Sequence, residues 1–218
     1  ANIGLQLGSH QEMRTYFLQA NVAERLPGAL TTAQLFADRR QAGGQTTPPL
    51  PPPFFACVQN NQTCNWGLYY NLQRIGMAYR NEFAANQFLE IIPYYSYQYL
   101  DHPIFQTIKQ DNNNVGGEVR YRNANHLFGR PNVFVVGVQP RYGDQHQWRL
   151  VNINGNNGAM TQTAHIRTTY FGANAEDQFA ATEALTIVLG GRWDYSGRQA
   201  NIQNFGPAGN PFDPSIPS

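Results

Sequence analysis

The segment PRYGDQHQWRLVNINGNNG, residues 140–158, gathers two guanidiniums, a phenol, an imidazole and an indole. They belong to Arg141, Tyr142, His146, Trp148 and Arg149. A guanidinium offers paired, planar donors to a carboxylate or phosphate. An indole or phenol covers flat apolar surface while keeping one polar end. The same residues also suit an interface anchor beside a solvated polar loop, and their types alone leave both readings open. His102 and Lys109 stand in a second stretch of this kind, HPIFQTIKQDNNN.

Covalent chemistry finds no such grouping. There is no Ser/His/Asp arrangement with a recognisable elbow and no HExxH. The five histidines are scattered, and none makes a metal-spaced pair. No catalytic residue and no metal ligand is therefore expected, and a hydrolase built into a barrel has no motif to rest on.

Cys57 and Cys64, within PPPFFACVQNNQTCNW, are the only cysteines. Their place in a Pro- and Asn-rich loop predicts a local disulfide, hence an oxidising compartment. Two free thiols are the alternative. A ring this small would add roughly 2–3 kcal/mol.

The elements that position these residues follow from composition. Only 13% of the 218 residues are charged while 41% are hydrophobic, against about a quarter charged in a typical soluble domain. Mean hydropathy is nevertheless −0.49, because Asn, Gln, Thr, Tyr and Gly replace the missing charge. That balance suits β-structure with one wet face. A net charge of +1 argues against a dedicated nucleic-acid binder. No apolar run approaches the ~18 residues of a membrane helix, so any membrane crossing must be made by a barrel.

Alternation of period two recurs along the chain. It predicts strands over 3–8, 13–25, 29–40, 68–81, 88–101, 115–123 and 132–139. Two more lie in FGANAEDQFAATEALTIVLGGRWDYS, residues 171–196. Residues 41–66, 102–114 and 140–162 read as long loops, alternating with short turns. This is the connection pattern of an up-and-down membrane barrel. Arg, Glu, Gln and Asn sit well inside the strands on one side, where a sandwich core would hold unpaired charge. The apolar side is therefore expected to meet lipid and the polar side to line a wet lumen. Nine strands is an odd number, which predicts that the chain is part of something longer.

GANAEDQFAATEALTIVLGGRWDYS is similar to the recurrent strand–turn–strand of the TonB-dependent outer-membrane receptors, the ferric-siderophore type in particular. HPIFQTIKQDNNNVGGEVRYRN followed by LFGRPNVFVVGVQP resembles the early barrel strands of that family. GLQLGSHQEMRTYFLQANVAERL resembles the start of its barrel just after the plug.

The resemblance implies that residues 1–218 are the first strands and extracellular loops of a 22-stranded transmembrane β-barrel. The plug domain and the remaining strands would be absent from them. It implies a bacterial outer-membrane protein that binds and imports a ferric siderophore or similar metal chelate. Import would be driven by the TonB complex acting through the missing plug. The expected partners are then the chelate and outer-membrane lipid, with no nucleic acid. No cofactor is expected, because iron arrives inside its chelate. In that frame Arg141, Tyr142, His146, Trp148, Arg149 and His102 become candidate substrate contacts. A passive porin or adhesin barrel and a soluble cell-surface β-sandwich are the rival readings.

Overall fold

The computed structural model of the chain describes residues 1–26, 30, 32–41, 64–104, 106–153 and 155–206. Nine strands account for most of them. In chain order they are β1 (Asn2–Gly8), β2 (Gln11–Arg25), β3 (Gly67–Ala84), β4 (Gln87–Pro103) and β5 (Gln106–Asn123). A two-residue β6 (His126–Leu127), β7 (Arg130–Ile153), β8 (Asn156–Ala180) and β9 (Thr186–Asn204) follow. One antiparallel sheet runs β1-β2-β3-β4-β5-β7-β8-β9, and β6 pairs only with β7. Each long strand lies beside the long strands that precede and follow it in the chain, the up-and-down arrangement.

The register sorts the side chains into two media. One rung crosses all eight long strands as Leu5, Met13, Tyr79, Ile91, Val119, Val138, Ala173 and Trp193. The next rung is Gln6, Glu12, Arg80, Glu90, Arg120, Gly137, Asn174 and Arg192. Successive residues of a strand point to opposite faces, so an apolar wall backs onto a charged one. On the charged side Glu90 accepts a hydrogen bond from Arg120, and Arg80 stacks 3.9 Å from the ring centroid of Phe88.

Nothing among the described residues covers the apolar face. Leu189 is 75% exposed and Trp193 60%. A soluble sandwich would bury this face beneath a second sheet, so that reading fails. On β7 the apolar band runs from Phe134 to Tyr142, nine residues, matching the roughly 9–11 residues a tilted strand needs to cross hydrocarbon. Phe17, Tyr95 and Tyr142 lie on or beside its upper rim, with Phe134 and Phe179 near the lower, as aromatic girdles do.

Close packing on the polar face depends on glycine. Tyr16, Gly76, Tyr94, Gly116, Arg141 and Tyr170 occupy one rung. A Cβ at Gly76 would collide with the ring of Tyr16, and one at Gly116 would stand 2.8 Å from the hydroxyl of Tyr94. Each ring lies across the bare backbone of its neighbour.

Three expectations are corrected. Residues 29–40 were expected to form a strand, but Thr32–Ala37 form a short helix, α1. Ala, Gln and Leu favour helix, and six residues are too few for the alternation of Ala33 and Leu35 to outweigh that preference. Residues 102–114 are no loop, since β4 continues to Pro103 and β5 begins at Gln106. Residues 140–162 are almost wholly strand, as β7 reaches Ile153 and β8 starts at Asn156. Their Asn and Gly content lowers strand propensity, but the ladder between the two long strands overrides it. The difference between the two ends of the barrel therefore lies partly in strand length. The predicted partner of Cys64, Cys57, lies outside the described residues.

Candidate functional site

The polar face is hollow near the upper rim of the apolar band. There a rung of mostly short side chains, Ser96, Asn114, Gly143 and Thr168, follows Arg74. Beside it runs the rung of bulky Tyr94, Arg141 and Tyr170. Small residues flanked by large ones leave a cleft of about 420 Å³ lined by both sets.

Two guanidiniums face this cleft. The Cζ of Arg74 stands 5.7 Å from the ring centroid of Tyr94, and that of Arg141 stands 5.0 Å from the ring of Tyr170. An aromatic face steadies a guanidinium without consuming its donors. Tyr170 is itself fixed, donating to Asp194 and accepting from Arg192 Nη2 at 2.5 Å. Arg192 Nε closes the triangle on Asp194 at 2.8 Å. The lining includes two arginines and no carboxylate. Buried Arg74 Nε has no hydrogen-bond partner among the described residues. Such a lining attracts an anion with several acceptor oxygens.

The predicted contacts do not converge. Arg141 borders the cleft with its side chain, and Tyr142 only with its backbone, its ring being on the apolar face. Arg149 is on the polar face nearer the β7–β8 turn, in one rung with Ile108 and His102. His102 sets its Nδ1 2.8 Å from the carbonyl of Gly67. A carbonyl only accepts, so that nitrogen carries the proton. His146 and Trp148 share the parity of Tyr142 and point to the opposite face, above the girdle. They line a second, smaller hollow of about 160 Å³.

There the register makes a group that spacing along the chain did not reveal. His146 pairs directly with His165, and their rings stack 4.2 Å apart. Asp144 lies 3.2 Å from His146 Nε2 and 2.9 Å from His165 Nε2. The hydrogen bond to His165, chiefly, holds the Asp144 carboxyl below the ordinary carboxylate range.

Arg74, Tyr94, Ser96, Asn114 and Tyr170 were not among the predicted contacts. Their common signal is a position on the polar face, which alternation marks. Their meeting in one cleft requires the strand register.

Residues 14–216 match the family model described as TonB dependent receptor-like, beta-barrel. No curated protein matches the chain by sequence. Among solved structures the chain is similar to the ferric citrate transporter FecA in its unliganded form. The TM-score is 0.73 at 14% identity, over 89% of this chain and 28% of that one. The chain thus spans little more than a quarter of FecA's length, and at this identity the likeness is one of fold.

Proposed function

Because the chain belongs to the TonB-dependent receptors, we propose that it forms a sector of an outer-membrane barrel importing an anionic metal chelate. A ferric siderophore or a chelate of similar charge is the substrate class, and TonB supplies the drive. Proteins of this family are transporters and not enzymes, and they use no cofactor. Residues 1–218 are assigned to the barrel. The plug and its contact with TonB belong to polypeptide beyond them. The Cys57–Cys64 disulfide is part of the same proposal, since it suits a loop on the extracellular side.

One observation carries the substrate class: the Arg74–Arg141 cleft, backed by two tyrosines and free of carboxylate. A chelate whose carboxylates or phenolates surround the metal presents the oxygen-rich, negative surface that two fixed guanidiniums recognise. Of the predicted contacts, Arg141 turns its side chain toward the cleft, and Tyr142 borders it only through its backbone. His102 and Arg149 are proposed as contacts higher on the same face of the projecting strands, met on the way in, and His146 and Trp148 as contacts on the outer face of those strands.

The test is chelate binding to the detergent-solubilised full-length protein, using ferric citrate and ferric hydroxamate and catecholate chelates as probes. Arg74→Gln with Arg141→Gln is expected to weaken binding of the preferred chelate by roughly tenfold or more. Uptake in cells should also stop when TonB is removed. Unchanged binding of every chelate by the double variant defeats the proposed cleft. Uptake that persists without TonB favours a passive channel.

A further inference from the structure

We propose that Asp144, His146 and His165 form a binding site for a divalent transition-metal ion on the outer side of the β7–β8 hairpin. It lies on the face opposite the chelate cleft and does not depend on the substrate assignment.

Two structural rules assemble the site. Asp144 and His146 are two apart on β7, so both project from one face, and His165 stands directly across the ladder on β8. One ligand atom from each lies within 4.8 Å of the others. Ligands about 2.0–2.1 Å from a tetrahedral ion stand roughly 3.3 Å apart. The nitrogen–oxygen separations, 3.2 Å at Asp144 Oδ1 and 2.9 Å at Oδ2, lie within a few tenths of an ångström of this, and no ligand pair is more than 4.8 Å apart.

Donor type sets the class of ion. Two imidazoles and one carboxylate suit Zn²⁺, Cu²⁺ or Ni²⁺, whereas Mg²⁺ and Ca²⁺ prefer oxygen throughout. The three side chains are partly exposed, so an ion reaches them from solution. The adjoining hollow of about 160 Å³, with Thr163, Asn201 and Gln203 on its walls, has room for water to complete the coordination. Arg167 opposes binding, because its Nε lies 3.6 Å from Asp144 Oδ2 and competes for the carboxylate.

Since the ligands come from two strands, the ion clasps β7 to β8 just above the Tyr142 girdle. It is neither the transported metal nor a cofactor of transport.

The experiment titrates Zn²⁺ into metal-free, detergent-solubilised full-length protein. His146→Gln and His165→Gln are each expected to weaken one Zn²⁺ site by roughly tenfold or more. Arg167→Gln should tighten it, and His126→Gln should leave it unchanged. Folding of each variant is confirmed by heat-modifiable electrophoresis. Cu²⁺ bound to the unaltered protein should show coupling to two nitrogens by electron paramagnetic resonance, a readout that needs no variant. Cu²⁺ without nitrogen coupling overturns the site. So does a His146→Gln/His165→Gln variant that binds Zn²⁺ as the parent does.

Discussion

Asn152 donates its side-chain amide to the carbonyl of Cys64 at 2.8 Å, joining the top of β7 to the approach of β3. The same nitrogen reaches Ile104 O at 2.8 Å, and its Oδ1 accepts from Gly155 N–H at 2.8 Å. At 1% exposure, this side chain binds three connections at the long-strand end of the sheet to one another.

Asn152→Ala should therefore remove hydrogen bonds from the buried carbonyl of Cys64, the partly buried carbonyl of Ile104 and the N–H of Gly155. The expected cost is about 1–3 kcal/mol for each group left without a partner, reduced where water enters. Hydrogen exchange should quicken together at residues 64–67, 104–106 and 150–156. Faster exchange confined to the β7–β8 turn would show that the three connections are not coupled.

A bridge between Cys57 and Cys64 would pin the same region. Non-reducing peptide mapping should recover the two cysteines in one linked fragment. Reduction should lower stability by roughly 2–3 kcal/mol at most, with faster exchange around Trp66. Two separately alkylated thiols in the untreated protein would exclude the bridge.

Gly76 and Tyr16 form a pair whose coupling is measurable. Gly76→Ala forces a methyl group into the ring of Tyr16 and should cost about 1–3 kcal/mol of folding stability. In a Tyr16→Ala background the same change should cost little, because the obstacle is gone. A double-mutant cycle in urea with lipid vesicles reads the difference. Additive effects would mean that the ring moves aside freely.

The two faces should answer differently to charge. Val138→Arg, in the middle of the apolar band, is expected to cost about 2–4 kcal/mol of insertion stability. Asn174→Lys, on the polar face, should cost far less. Equal penalties would show that both faces meet the same medium.

Alternation made the faces legible strand by strand. Spacing alone puts Ile91, Val138 and Trp193 on the apolar side of their strands and Glu90, Arg120 and Arg74 on the polar side. Register was not legible, because nothing in either strand states which residue of one will stand opposite which of the other. Hence Arg74 and Arg141 were not joined in advance, and His146 and His165 looked unrelated. The strand ends were misplaced where Asn and Gly accumulate, at Asn112–Asn114 and Asn152–Gly158. There weak local preference yields to pairing over a long ladder. Residues 32–37 differ for the opposite reason: the segment is short, and its own helical preference meets no partner strand among the described residues.

From Gly143 to Ile153, β7 carries eleven residues past the girdle, a rise of roughly 35 Å at about 3.3 Å per residue. Its pairing with β8 continues almost to the turn. What stands above the bilayer here is thus a stiff mast and not a slack tether. A molecule caught against it loses little further chain freedom, because that ordering was completed when the barrel folded. The mast also keeps each residue at a set height, so on the proposed import route a chelate meets Arg149 near the top before Arg141 at the foot.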